Sequence, residues 1–313
     1  MSDKLVKVNE VLDQVNKVII GKEDVVKKVM ATVLCGGHIL LEDVPGVGKT
    51  TMAVAFSKAL NLKQTRMQFT PDVLPSDVVG FSVPDKMGNF TYREGAIMCN
   101  LFLADEINRT SPKTQSALLE VMEEGNVTVD GVTRKVPDPF VVIATQNPAG
   151  SAGTQLLPES QLDRFMVRLS IGYPDVESEA TMLRGKMDNV TVEDVEQVID
   201  RVTLKEAKKE VEQVYVSDEI INYIAGIAFS TRNNSYVKLG LSPRGSVALV
   251  TMSKAMAFFE ERDYVIPEDV RACAVDVMGH RIVPSTKARV ENVSVNDIIE
   301  DTFSKISVPL VKR

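Results

Sequence analysis

The chain has 313 residues, 44% of them hydrophobic and 25% charged, with three cysteines, two histidines, no tryptophan and a formal net charge of −7. That length accommodates two domains with real cores. The widely separated Cys35, Cys99 and Cys273, with so few histidines, exclude a disulfide framework and a zinc site. Residues 1–173 carry 18 Lys and Arg against 20 Asp and Glu, and residues 174–313 carry 18 against 23; neither half has the basic excess of a sequence-independent nucleic-acid binder.

The N-terminal stretch MSDKLVKVNEVLDQV is charged and lacks a signal-peptide core. No apolar run approaches the roughly 20 residues that span a bilayer. The expected address is the cytoplasm, without membrane insertion. Residues 1–35 predict two amphipathic helices separated by Val18-Ile19-Ile20-Gly21-Lys22, the second over Glu23–Cys35 with Val25, Val26, Val29, Met30 and Val33 at helical spacing. Strands are predicted at His38–Glu42, Arg66–Phe69, Asn100–Ala104, Phe140–Ala144 and Met166–Ile171, with helices between them. Near-continuous apolar runs such as LFLAD and FVVIAT suit strands buried on both faces of a parallel sheet, hence a doubly wound α/β core. Ligands of such sheets bind at the carboxyl ends of the strands.

Two stretches break the alternation. Residues 71–98 are too long for an ordinary connection and contain a hairpin pattern, FSVP…GNFTY. Residues 125–139 alternate polar and apolar around Asp130-Gly131, a two-residue hairpin turn. Both read as projecting loops that touch substrate or a neighbouring subunit. Beyond Tyr173-Pro174 the strand pattern stops. An acidic, weakly patterned stretch, 174–210, leads to helices over Asp218–Phe229, Gly245–Glu260, Pro267–Met278 and Val295–Lys305. The expected division is therefore 1–173 for the α/β core and 174–313 for an all-helical domain.

Chemistry concentrates first in HILLEDVPGVGKTT, residues 38–51. An apolar strand enters a glycine-rich turn, Pro45-Gly46-Val47-Gly48-Lys49-Thr50-Thr51, whose backbone N–H groups can close around phosphate oxygens. Lys49 supplies a charge for the β- and γ-phosphates, Thr50 a hydroxyl for Mg²⁺, and the following helix the positive end of its dipole. The usual pattern is GxxxxGK[ST], and Asp43 stands here in place of the first glycine. The strand Leu101–Ala104 then delivers Asp105 and Glu106. Asp105 would sit beside Mg²⁺ through its water shell, and Glu106 would orient and partly deprotonate the water attacking the γ-phosphate. The strand ending at Asn147 offers an amide that could hold the same water from the other side. Arg164, with Arg168 as runner-up, could place a guanidinium on the γ-phosphoryl oxygens of a neighbouring subunit. Arg244 stands in the first turn of a helix, a costly place for a cation unless an anion such as phosphate is close.

Together these residues resemble the MoxR branch of the AAA+ ATPases. The segments LLEDVPGVGKT, QFTPDVLPSDVVGF, FLADEINRTSPKTQSALLEVMEEG, VVIATQNP, LPESQLDRFMVRL and LSPRGS carry the resemblance from Leu40 to Gly245, and PEDVRACAVDVMGHRI looks like the family's lid. The resemblance implies an α/β P-loop AAA+ parallel-sheet core with a C-terminal all-helical lid. It further implies a Walker A at Gly46–Thr50, a Walker B at Asp105-Glu106, sensor 1 at Asn147, an arginine finger at Arg164 and sensor 2 at Arg244. The helix-2 insert would lie in 71–98, the pre-sensor-1 hairpin in 125–139, and Ile20-Gly21 would border the adenine. The implied cofactors are ATP and Mg²⁺. The implied partners are further copies in a ring, commonly a hexamer, and a client protein complex matured in chaperone fashion, often beside a von Willebrand A domain protein. A magnesium-chelatase-like ATPase subunit, a nucleic-acid or transcription-linked motor, and a nucleotide-switched scaffold are the competing readings. The acidic balance opposes the motor, and the complete set of hydrolytic residues opposes the scaffold.

Overall fold

A computed structural model of the chain describes residues 2–44, 46–85, 89–147, 157–187 and 190–309. Two helices open it, α1 (Asp3–Asn16) and α2 (Glu23–Leu34). Strand β1 (Ile39–Glu42) leads through the glycine-rich turn into α3 (Lys49–Ala59), and β2 (Gln64–Gln68) follows. Helix α4 (Pro75–Val79) precedes a hairpin of β3 (Gly80–Pro84) and β4 (Phe90–Glu94). Strand β5 (Leu101–Asp105), a 3-10 turn over Ile107–Arg109 and α5 (Pro112–Glu124) come next. A second hairpin, β6 (Asn126–Val129) and β7 (Val132–Lys135), leads to β8 (Val141–Gln146), the short α6 (Glu159–Leu162) and β9 (Val167–Leu169). The remainder holds α7 (Val176–Met187), a 3-10 turn over Val192–Asp194, α8 (Arg201–Gln213), α9 (Asp218–Arg232) and β10 (Val237–Leu239). It closes with α10 (Pro243–Phe259), α11 (Pro267–Met278), β11 (Val283–Pro284), α12 (Thr286–Val290) and α13 (Val295–Lys305).

Five strands form one parallel sheet in the order β2-β5-β8-β1-β9. Alternate residues face opposite sides, so each apolar run feeds two cores. Ile39, Leu41, Leu101, Leu103, Val141 and Ile143 join the cluster built with α1, α2, α3 and the C-terminal helices. Leu40, Phe102, Ala104, Val142 and Ala144 join the cluster built with α5 and the hairpin β6–β7. Each fully buried side chain of this size contributes roughly 1.5–3 kcal/mol, enough for the strands to hold the exposed loop ends in fixed relation. All five strands deliver those ends to one edge, where Asp43, Asp105 and Asn147 emerge.

The two projecting hairpins form where the turn residues place them, and they pack on each other: the Arg134 guanidinium lies 4.0 Å over the Tyr92 ring. Two features depart from the sequence reading. The weakly patterned stretch contains α7 and α8, the latter burying Leu204, Ala207 and Val211 along a narrow stripe. The C-terminal region is helical but not wholly so, because β10 and β11 pair as an antiparallel ribbon. Among the described residues no helix is long and apolar enough to cross a membrane.

Candidate functional site

The turn after β1 explains its own composition. Gly46 and Gly48 have φ of 91° and 94°, a region other residues rarely adopt, and a Cβ at Gly46 would meet nothing within 4 Å. Conformation, not crowding, demands glycine here. Pro45 lies outside the described residues. Val47 packs into the hydrophobic core, while Gly46, Gly48, Lys49, Thr50 and Thr51 line a cavity of about 410 Å³ with Arg66, Gln68, Asp105, Glu106 and Asn147. Helix α3 starts at Lys49 with no side-chain cap. Its first N–H groups, which have no intrahelical acceptor, remain available to an anion. The Lys49 Nζ donates to the Asp43 carbonyl at 2.8 Å, and burial holds its pKa below the ordinary lysine value against the pull of Asp43, Asp105 and Glu106.

The two acids at the end of β5 are held apart in role by one hydroxyl. Thr145 donates to Asp105 Oδ1 at 2.7 Å and accepts from the Glu106 N–H at 2.9 Å. Glu106 has φ of 56°, a left-handed conformation costing a non-glycine residue roughly 1–2 kcal/mol. That turn swings its carboxylate into the cavity. Asn147 Nδ2 donates to its Oε1 at 3.1 Å, while Gln68 Nε2 and Arg109 both donate to Oε2 at 2.8 Å. Arg66 donates to the other Asp105 oxygen, Oδ2, at 2.7 Å. Beside this cavity, and sharing Thr51 with it, runs a cleft of about 630 Å³ lined by Val18, Ile20, Met182 and Val192 together with Lys17, Thr181, Arg184 and Thr191. Gly21 follows Ile20 but is not among the residues lining this cleft; it has φ of 70°, and a Cβ there would lie 2.0 Å from Ser178 Oγ.

Arg164 and Arg244 are elsewhere. Arg164 donates to the Leu119 carbonyl at 2.8 Å and pairs with Glu123 at 2.5 Å. Ser242 caps α10 and Pro243 occupies its first turn, which places Arg244 against the same Glu123 carboxylate and 3.8 Å from Asp163. The anions beside that helix start are thus carboxylates of the core. Arg281 pairs with Asp163 at 2.8 Å. Three guanidinium groups share two acids around a cavity of about 270 Å³, and none of its lining residues belongs to the phosphate cavity. Arg168, the runner-up, bonds Glu42 at 3.1 Å and the Gly279 carbonyl at 3.1 Å, fastening β9 to the region after α11.

Residues 38–167 match the ATPase family associated with various cellular activities (AAA), and residues 229–302 match the AAA lid domain. YeaC of Bacillus subtilis is 46% identical over 300 residues, covering 96% of this chain and 94% of that protein. Chaperone MoxR1 of Mycobacterium tuberculosis is 34% identical over 308 residues, covering 95% of this chain and 81% of that protein. A crystal structure from Cytophaga hutchinsonii aligns with a TM-score of 0.90 at 38% identity, covering 98% of this chain and 96% of that one. The chain belongs to the MoxR family of AAA+ ATP hydrolases.

In this MoxR-family ATPase no group of three or more His, Cys, Asp and Glu is placed to hold a metal ion among the described residues. The hard oxygens of Thr50, Asp105 and Glu106 in the cavity are of the kind Mg²⁺ takes, one or two from protein beside those of phosphate. Both histidines are structural. His38 accepts from the Val142 N–H at Nδ1 and therefore carries its proton on Nε2, 2.9 Å from the Met122 carbonyl. His280 sits 3.0 Å from the Phe165 carbonyl. The sequence reading missed Thr145, Gln68 and Arg66, and it left Arg109 outside the site. Gln68 and Thr145 lie at or next to strand ends, whereas Arg66 is mid-strand in β2 and Arg109 sits in the 3-10 turn, positions that carry no local signal.

Proposed function

We propose that this ATPase hydrolyses ATP at a site shared between two copies of the chain and uses the cycle to remodel partner proteins in chaperone fashion. The observation that carries this reading is the separation just described. The phosphate cavity has its acids, amide and lysine but lacks Arg164 and Arg244 of its own chain, which stand together with an excess of positive charge on another face. Closing a ring of such subunits, a hexamer in our reading, would bring that face to a neighbour's phosphates.

Within the cavity, Lys49 and the N–H groups from Gly46 to Thr51 bind the phosphates, and Ile20 and Gly21 border the base. Thr50 and Asp105 would hold Mg²⁺, which when bound would supply charge neutralisation at the phosphates. Glu106 acts as the base toward water. Its Oε2 is occupied by Gln68 and Arg109, so Oε1, shared with Asn147, is the oxygen that can accept a proton. Arg164 and Arg244 of the next copy stabilise the charge on the γ-phosphoryl oxygens. The hairpins carry exposed Phe81, Phe90 and Val132, surfaces suited to gripping a client polypeptide. Maturation of, or cofactor insertion into, a cytoplasmic protein complex, alongside a von Willebrand A domain protein, is the use we assign.

Mixing variants tests the shared site. Glu106→Gln and Arg164→Ala should each be inactive alone and bind ATP. Mixed in equal amounts they should regain turnover, because some sites receive both wild-type residues. No recovery over a range of protein concentrations, in mixtures shown to co-assemble, would place the whole site within one chain.

A further inference from the structure

Asp43 replaces the glycine that usually opens a phosphate loop, and its surroundings give it a use of its own. Its φ is not positive, so glycine is not required there. Its side chain is buried, yet its direct donors are neutral groups from one distant segment: Ser170 Oγ at 2.9 Å, the Ile171 N–H at 2.5 Å and the Gly172 N–H at 3.1 Å. These three residues begin the connection from β9 to the helical region, 127 to 129 positions along the chain. Gly172 has φ of 65°, which turns its N–H back toward the carboxylate beside that of Ile171; consecutive N–H groups so arranged make an anion-binding concavity. Lys22 then fastens the next residue, donating to the Tyr173 carbonyl at 2.8 Å.

The backbone of Asp43 faces the other way. Its carbonyl accepts from Lys49 Nζ at 2.8 Å, and its N–H donates to the Gln146 carbonyl, one residue before Asn147, at 3.3 Å. One residue thus bonds to the phosphate-binding lysine, the strand end bearing Asn147 and the segment leading to the helical region. We propose that Asp43 is a positioning residue that couples phosphate occupancy of the loop to the connection at 170–172. This rests on the ATP site proposed above. When Lys49 turns toward phosphate it leaves the Asp43 carbonyl. The peptide group between residues 43 and 44 is then released from its cation, and the carboxylate carries that adjustment to Ile171 and Gly172. A glycine at position 43 allows the loop but has no side chain with which to transmit the change.

Hydrogen exchange of the full chain, with and without ADP or a non-hydrolysable ATP analogue, reads this directly. In the wild type the Ile171 and Gly172 amides should be protected and their protection should change with nucleotide. Asp43→Gly should speed their exchange about tenfold or more and abolish the nucleotide response. Nucleotide affinity should stay within about threefold, because the glycine-rich loop and Lys49 remain, while turnover falls. Asp43→Asn, keeping one acceptor oxygen, should lie between. Ser170→Ala removes one donor without touching the loop, and should lower turnover without altering affinity even where Asp43 variants fold poorly. An unchanged nucleotide response at 171–172 in Asp43→Gly overturns the coupling. So does loss of nucleotide binding in that variant, since Asp43 would then shape the loop itself. Failure of the wild type to bind nucleotide would instead remove the underlying ATP site.

Discussion

The phosphate cavity and the arginine face use the same kinds of side chain to opposite effect. In the cavity, Asp105 and Glu106 accept from a hydroxyl, two amides and two arginines, so every carboxylate oxygen has a donor before any ligand arrives. On the arginine face, three guanidinium groups divide two carboxylates, and Glu123 alone serves both Arg164 and Arg244. The first region holds the acids, and its own arginines, Arg66 and Arg109, are both bonded to those carboxylates. The second has cations to spare and no chemistry of its own. Partly exposed ion pairs of this kind contribute about 0–1 kcal/mol each, so Glu123 can release its partners to a phosphate at small cost. On the function we propose, the two regions are half-sites, and catalysis waits for assembly.

The sharpest way to break that comparison is Arg164→Ala. If the arginine face serves a neighbour's phosphates, turnover should fall by about 10³- to 10⁵-fold, the range known for arginines placed on a transferring phosphoryl group. Nucleotide binding to the separated subunit should be retained. Turnover within a few fold of wild type would reduce Arg164 to a partner of Glu123.

A smaller effect should follow within the cavity from Thr145→Val. The substitution keeps the shape but leaves Asp105 Oδ1 and the Glu106 N–H without their shared hydroxyl, costing about 1–3 kcal/mol of stability for each buried group left unpaired. Glu106, already in a left-handed conformation, would lose the bond that fixes it, and a displacement of about 1 Å can cost on the order of 10²-fold in rate. Denaturant unfolding and turnover measured together check both parts. A stability loss without a rate loss would show that Asn147, Gln68 and Arg109 orient Glu106 unaided.

Why some of this was legible beforehand, and some not, follows from where the bonds run. The glycine-rich turn, Lys49, and the Asp105-Glu106 pair announce themselves because each works through neighbours in sequence: a strand, a turn and a helix start. The hairpins were legible for the same reason, since Asp130-Gly131 specifies its own turn. Thr145, Gln68 and Arg66 were not, because they reach the acids only through the order β2-β5-β8, and β-branched or polar residues in strands are commonplace. Glu123 lies in a charged run on α5 that reads as a solvated face. Helix α8 hid because its buried stripe, Leu204, Ala207 and Val211, is narrow and interrupted by lysines and glutamates. Asp43 looked like a defect in a pattern, and its partners lie on the far side of the core sequence.

The mildest test of the contrast is acid. His38 is buried between β8 and the end of α5, with its Nε2 proton committed to the carbonyl of Met122, the residue before Glu123. Burial lowers its pKa to about 4 from the ordinary 6.5. A histidine kept neutral in the fold is protonated first in the unfolded chain, so its contribution is fully present above pH 6.5 and is lost as pH falls toward about 4. The loss should total about 2–4 kcal/mol, and His280, lowered by burial in the same direction, adds to it. Thermal unfolding at several pH values between 7.5 and 4.5 should therefore show a steeper decline for the wild type than for His38→Gln. The location matters as much as the slope. The added proton would go to Nδ1, which accepts from the Val142 N–H, so it would break that bond to β8 while the Nε2 bond to the Met122 carbonyl beside Glu123 remains. A decline in the wild type no steeper than in His38→Gln would show that this bond does not set the acid stability.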